Sequence, residues 1–379
     1  MGMGTKLIHP GNEVDETTGA VSAPIYQSVI FAQKDLDTAG KWEYTRSGNP
    51  TRAALEETVA VLEGGEYGFA FASGMAAIMA AFCLFSAGDH ILVARDIYGG
   101  TFRLVTKLLP RFGFQIELVD TIDLENVRRA IRPETRGLYL ETPSNPLLKI
   151  TDLRAATALA HEHKIITIAD NTLMTPYLQR PLELGVDVVV HSATKYLSGH
   201  SDCLAGVIVT GSQRLANEIH FVQNSIGAVL APHECWLIMR GIKTLKVRLE
   251  QQQTTAGRIA EWLSNRPEIG AVYYPALQNH PGRSLHFSQA GGSGGVLSFR
   301  LSDEECAHRF IDGLHLPAIG SSLGAVESIV TLPATMSHGA LTVEMRQTLG
   351  ISRDLVRLSV GLEDFDDLRD DLEQALQGI

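Results

Sequence analysis

The chain reads as an α/β protein, with a mostly parallel central sheet followed by a smaller C-terminal α/β domain. Two observations lead there. From about residue 48 to 210, short β-rich apolar runs alternate with segments of helical spacing, the pattern of a parallel sheet covered on both faces. Beyond about residue 236 the pattern changes to a long helical stretch, one strand-like run and a last amphipathic helix.

Taken in order, residues 1–47 are polar and turn-rich, with Pro24 and with Gly11, Gly19 and Gly40, and carry little core pattern. Such a segment is either an arm that wraps something else or a disordered tail. The apolar runs that follow are Tyr67–Ala72, His90–Ala94, Gln115–Val119, Gly137–Glu141, Ile165–Ala169, Val186–Val190 and Gly206–Thr210. Leu124, Val127 and Ile131 have helical spacing, as do Leu153, Ala156, Leu159 and Ala160. Trp236–Leu263 reads as a long helical stretch with few breakers, Gly241 and Gly257 among them. Tyr274–Gly295 is turn-rich, and the GGSGG run 291–295 reads as a plain loop. Gly295–Leu301 is strand-like and Glu304–Gly313 helical, and Leu362, Phe365, Leu368, Leu372 and Leu376 mark the last helix.

Composition narrows the function classes. At 379 residues, 45% of them hydrophobic, the chain suits two or three domains with a large core. Cys83, Cys203, Cys235 and Cys306 are far apart and form no C-x-x-C pair, so a disulfide framework or a zinc site is not expected, and a reducing cytoplasm fits. A formal charge of −11 argues against nucleic acid as a partner. Met1–Pro10 holds no apolar leader, and no run approaches the roughly 20 apolar residues of a membrane span. Neither dinucleotide-binding nor P-loop glycine spacing occurs.

Four elements carry chemistry. In VDVVVHSATKYLSGHS (186–201) a strand ends at His191, and Ser192, Thr194 and Lys195 follow. A lysine at the end of a buried strand is costly unless paired or chemically used. An amine beside two hydroxyls suits a cofactor bearing an aldehyde and a phosphate. Taken alone, a surface lysine explains it as well. Asp170, at the end of another buried strand, could keep a pyridinium nitrogen protonated, though an N-cap would look the same. FASGMAA (71–77) is a strand followed by a helix start, whose free N–H groups suit phosphate and whose Gly74 admits an anion. Tyr98 follows the strand ending at Ala94 and could stack on a ring. Together these supply an anion cradle, a stacking aromatic, an acid and an amine, all beyond strands of one sheet, where ligands of such folds bind.

The chain resembles the Cys/Met-metabolism enzymes that use pyridoxal 5′-phosphate (PLP): cystathionine β- and γ-lyases, cystathionine γ-synthase, methionine γ-lyase and O-acetylhomoserine sulfhydrylase. The resemblance runs nearly end to end. It rests on YTRSGNPTR (44–52), FASGMAA (71–77), YGGTFR (98–103), ETPSNP (141–146), ADNT (169–172), HSATKYLSGHSD (191–202), SSLGAVES (321–328), LPATMSH (332–338) and LVRLSVGLED (355–364).

That resemblance implies a PLP-dependent transferase fold of type I, the aminotransferase-like architecture. It divides the chain into an arm at 1–47 that crosses to a neighbouring subunit, a PLP-binding domain at 48–235 and a C-terminal domain at 236–379. It implies that Lys195 holds the cofactor as a Schiff base and moves protons, that Asp170 pairs with the ring nitrogen, and that Tyr98 stacks on the ring. Gly74, Met75, Ser192 and Thr194 would bind phosphate, completed by Tyr44 and Arg46 of the neighbouring subunit in a homotetramer built as a dimer of dimers. Asn145 and Glu141 would lie near the ring oxygen. Arg357 would take the carboxylate of an amino-acid substrate, assisted by Ser322. Tyr44 or Tyr98 would serve as acid–base partner.

Within that family, methionine γ-lyases carry a cysteine two residues after the stacking tyrosine, where this chain has Gly100. Glu327 resembles the acid that meets the distal amino group of cystathionine. The expected activity is elimination of a thiol from L-cystathionine, β or γ. The alternatives are γ-replacement by a synthase or sulfhydrylase and, remotely, a PLP-fold protein that binds without catalysis.

Overall fold

A computed structural model describes residues 1–38, 40–339 and 341–379. Seven strands form the large sheet: β1 (Tyr67–Phe71), β2 (His90–Ala94), β3 (Gln115–Val119), β4 (Thr135–Glu141), β5 (Ile166–Asp170), β6 (Val188–His191) and β7 (Gly206–Thr210). Their order is β1-β7-β6-β5-β4-β2-β3. Six run the same way, and β7 is antiparallel to both of its neighbours, β1 and β6. Alternate side chains enter opposite cores. Tyr139, Ile168, Val188 and Val190 meet the helix Gly74–Phe82 on one face. Leu138, Leu140, Ala169 and Val189 meet the helix Leu153–Glu162 on the other.

Local chemistry sets where the helices begin. Asn49 caps the helix Pro50–Glu63 by accepting from the N–H groups of Thr51 and Arg52, and Gly64, at φ 76°, closes it. Ser73 caps Gly74–Phe82 by accepting from Ala76 N at 3.1 Å.

A second sheet has the order β10-β11-β12-β9-β8, from β8 (Ala271–Tyr273), β9 (Val296–Arg300), β10 (Ala318–Ile319), β11 (Ile329–Thr331) and β12 (Leu355–Ser359). Val356 and Leu358 of β12 pack with Ile259, Phe310, Leu368 and Leu372 of the C-terminal helices. Alternation turns Arg357 to the opposite face, toward the large sheet.

Two expectations are refined and one is corrected. The long helical stretch Trp236–Leu263 is made of parts of two helices, Pro232–Ile242 and Leu245–Ser264. At the break Gly241 O accepts from Thr244 Oγ1 (3.1 Å) and Arg248 Nη2 (2.8 Å), which cap the first helix while the apolar period runs on. The turn-rich Tyr274–Gly295 contains the helix Arg283–Gln289, which has no side-chain cap to announce it. The N-terminal segment, expected to carry little core pattern, contributes Leu7 and Ala23, buried against the helix Pro50–Glu63 and its neighbours. Among the described residues no helix is long and apolar enough to cross a membrane.

The glycines of the broken pair separate packing from propensity. A Cβ on Gly241 would lie 2.2 Å from Ser198 O, under the loop that carries Lys195, whereas one on Gly257 meets only a Tyr274 ring carbon at 3.9 Å. Urea denaturation should find Gly241→Ala destabilised by roughly 1–3 kcal/mol. Gly257→Ala should be neutral or stabilised by up to about 1 kcal/mol.

Candidate active site

The carboxyl ends of β1, β2, β4, β5 and β6 open onto one cavity. Its lining includes Gly74, Met75, Tyr98, Glu141, Asn145, Asp170, Thr172, Ser192, Thr194, Lys195 and Arg357. It offers about 160 Å³ to water-sized groups, room for a ligand rather than a single solvent molecule.

Glu141 and Asp170 are register partners at the ends of neighbouring parallel strands. Tyr139 lies two residues before Glu141, hence on the same face, and its hydroxyl donates to Asp170 Oδ2 at 3.1 Å. The other Asp170 oxygen accepts from Thr172 N (3.0 Å) and Thr172 Oγ1 (2.5 Å). Thr172 Oγ1 accepts in turn from Ser192 N at 2.8 Å, which ties the acid's loop to the loop of the amine. Glu141 Oε2 accepts the backbone N–H of Tyr98 at 2.9 Å. Burial, and then the charge of Asp170, hold the Glu141 carboxyl well above the usual carboxylate range.

Glycines let backbones meet here. A Cβ on Gly74 would lie 2.8 Å from Ser192 Oγ, so the helix start and the Ser192 loop meet at backbone distance. The same substitution on Gly100 would strike the Tyr98 ring at 2.3 Å and Met75 Sδ at 2.9 Å.

Two cations share the cavity. Lys195 Nζ donates to Ser322 Oγ at 2.7 Å. Burial, and then the charge of Arg357, lower its pKa to about 8. Arg357 is 1% exposed. Its Nη1 donates to Asn145 Oδ1 (3.1 Å), and its Nη2 donates to Ser322 O (2.7 Å) and Thr331 Oγ1 (3.0 Å). Burial lowers it to about 10, which still leaves it charged at neutral pH. Among the described residues no carboxylate lies within ion-pair distance of either, and Arg357 Nε has no partner. A buried cation without an anion is costly, and both together favour an anionic ligand.

Ten of the residues singled out in the sequence thus surround one volume: Gly74, Met75, Tyr98, Glu141, Asn145, Asp170, Ser192, Thr194, Lys195 and Arg357. Ser322 touches it through Lys195. Tyr44 and Arg46 do not line this cavity. Tyr44 is 42% exposed, and Arg46 Nη1 donates to Asn224. Glu327 also lies off it, exposed, accepting from Ser201 Oγ at 3.4 Å.

Sequence reasoning missed Tyr139 and Thr172. It also missed a buried network behind the site, in which Glu63 Oε1 meets His191 Nε2 (2.5 Å) and Asn171 Nδ2 (2.9 Å) and so joins the ends of β5 and β6. The i−2 relation of Tyr139 to Glu141 was the one signal available for it.

An amine of lowered basicity, an acid held by three donors, a helix start crossed at a glycine and an unpaired buried guanidinium define an enzyme site for an aldehyde-bearing, anionic cofactor with an amino-acid ligand. The donor set fits PLP. Lys195 could hold its aldehyde carbon, Asp170 its ring nitrogen, and Gly74, Met75, Ser192 and Thr194 its phosphate.

The family model of the Cys/Met metabolism PLP-dependent enzymes matches residues 4–377, and the chain belongs to that family. Its cofactor is therefore pyridoxal 5′-phosphate. Cystathionine beta-lyase MetC of Bacillus subtilis (strain 168) is 52% identical over 375 residues, spanning 99% of this chain and 96% of that one. Cystathionine gamma-lyase of the same organism is 50% identical over 375 residues and 99% of each chain. The crystal structure of cystathionine gamma-lyase from Lactobacillus plantarum complexed with L-serine superposes with a TM-score of 0.97 at 47% identity, covering 100% of this chain and 99% of that one.

Tyr139→Phe keeps the ring stacked 5.3 Å from Phe82 and deletes only the donor to Asp170. Absorbance titration should find PLP bound about tenfold more weakly, the loss expected for one charge-assisted hydrogen bond. Unfolding by urea should shift by no more than about 1 kcal/mol.

Proposed function

We propose that this chain is a carbon–sulfur lyase that eliminates a thiol from L-cystathionine. The observation that carries the reading is Arg357, buried, charged and without a carboxylate, beside Lys195 in one cavity. A substrate α-carboxylate supplies the missing anion, and the guanidinium fork holds it in two-point geometry that a lysine would not reproduce. The names of the relatives support a cystathionine lyase and favour neither β- nor γ-elimination, since both kinds stand near 50% identity.

When bound, PLP supplies an aldehyde for the substrate amine and a ring that withdraws electrons from the α-carbon. The protein does the rest. Gly74, Met75, Ser192 and Thr194 hold the phosphate, and Asp170, steadied by Tyr139 and Thr172, keeps the ring nitrogen protonated. Tyr98, fixed at its backbone by Glu141, covers the ring. Lys195 Nζ takes the α-proton, for which it must be neutral. Its lowered pKa leaves a substantial fraction uncharged near pH 8. Ser322 accepts a hydrogen bond from that amine and so directs it. Tyr98, or Tyr44 of a neighbouring copy, returns a proton to the departing sulfur.

The reading includes a shared site. Tyr44 and Arg46 complete the phosphate site of a neighbouring copy, the arm 1–47 crosses a dimer interface, and two such dimers form a tetramer. Exposed apolar side chains on the arm support this, among them Val21 (76%), Ile30 (72%) and Leu36 (104%). Residues 48–235 bind the cofactor and 236–379 supply Arg357. The free thiols Cys83, Cys203, Cys235 and Cys306 fit the cytoplasm.

The test is turnover of L-cystathionine by PLP-loaded protein. Pyruvate, homocysteine and ammonia mean β-elimination, and 2-oxobutyrate, cysteine and ammonia mean γ-elimination. Protein with a normal imine absorbance and neither set of products would overturn the lyase reading in favour of γ-replacement. Independently, the rate at which apoprotein captures PLP should climb with pH up to about 8 and level above it, following the neutral amine of Lys195. Lys195→Ala should abolish the imine band at every pH.

A further inference from the structure

Tyr44 and Arg46 stand away from the cavity of their own chain, yet they are not loosely held. Thr45 N donates to Val29 O and Phe31 N to Glu43 O, both at 2.9 Å, so a short antiparallel bridge carries the segment. Arg52 lies beneath it, only 1% exposed. Its Nη1 donates to Thr45 O at 2.6 Å and its Nη2 to Arg46 O at 3.2 Å, a fork across two successive carbonyls. Glu56 Oε1, 3.5 Å from Arg52 Nε, balances that charge and also accepts Ala70 N–H from β1 at 2.9 Å. From the side, Asn224 takes Arg46 Nη1 on both its backbone oxygen and its Oδ1, each at 2.8 Å. The guanidinium is thereby held over the Tyr44 ring, 5.5 Å from its centroid.

We infer that Arg52 and Asn224 are positioning residues that pre-set Tyr44 and Arg46 for delivery to the cofactor site of a second copy of this chain. The inference rests on the shared-site reading above. Its physical basis is entropy. Fixing a free backbone at the moment of capture has an entropic cost, and a segment already fixed avoids that cost. Arg52 suits the task because a planar fork spans two carbonyls, which a lysine would meet at one point. A merely structural Arg52, serving only the start of the helix Pro50–Glu63, would affect the chain that carries it. A positioning Arg52 acts on the site of the other chain.

Location in cis or in trans decides between these. Two tagged chains are co-expressed and mixed oligomers are isolated through both tags. One chain carries Lys195→Ala and keeps its arm, and the other carries Arg52→Gln and keeps its amine. Only sites with Lys195 report in the imine absorbance, and in a mixed dimer that site receives the intact arm.

Arg52→Gln and Asn224→Ala homo-oligomers should bind PLP about tenfold more weakly than wild type, the loss expected for a hydrogen bond to a charged group. Mixed with Lys195→Ala, each should recover wild-type PLP affinity. Arg46→Ala paired with Lys195→Ala is the control for the crossing itself. Recovery in the control with none for Arg52→Gln or Asn224→Ala overturns the positioning role and leaves the shared site standing. No recovery in the control means that the arm does not cross, and both readings fall. Should Arg52→Gln not fold, Asn224→Ala, a change at the protein surface, decides the question by the same pairings.

Discussion

Burial without compensation organises this molecule. Lys195 and Arg357 come from different sheets, share one cavity, and meet no carboxylate among the described residues. Their neighbours are neutral oxygens: the Ser322 hydroxyl and carbonyl, the Asn145 amide and the Thr331 hydroxyl. These satisfy hydrogen bonds without cancelling charge. Desolvation lowers both basicities, the charge of Arg357 lowers that of Lys195 further, and the same field attracts the anions of a cofactor and of an amino acid. The arrangement is held open by the sheet that ends beneath it and by the second sheet that brings Arg357 from the opposite side.

Strand geometry does much of the positioning. Parallel strands end together, and their period of two puts Tyr139, Glu141, Ile168 and Asp170 on a single face. One pair of adjacent strands therefore delivers an acid, the donor that steadies it, and a second carboxyl that grips the backbone of Tyr98. The glycines complete the assembly by what they omit. At Gly74 and Gly100 a single methyl would push the helix start from the Ser192 loop, or Met75 from Tyr98.

Much of this was legible in advance. The seven strand runs matched their strands to within two residues at each end, because β-rich stretches bounded by Gly, Pro, Asp and Ser leave few alternatives. The strand-end residues were legible for the same reason, since each follows directly on a run. What escaped was long-range or unsignalled. The break at Lys243–Thr244 is made by Arg248 closing on Gly241 O, inside an unbroken apolar period. The helix Arg283–Gln289 begins without a cap. Glu63, 128 residues from His191, shows no local mark of the contact it makes.

By itself the sequence determined the family, the fold class, the cofactor and the kinds of side chain at the site, because motif spacing and hydrophobic period are local properties that survive without coordinates. Only the tertiary structure decided which charges go unpaired, which backbones touch, and that Asn224 and Arg52 hold the segment of Tyr44 and Arg46. Those are matters of distance between segments far apart in the chain, set by how two sheets pack, and no pattern within either segment records them.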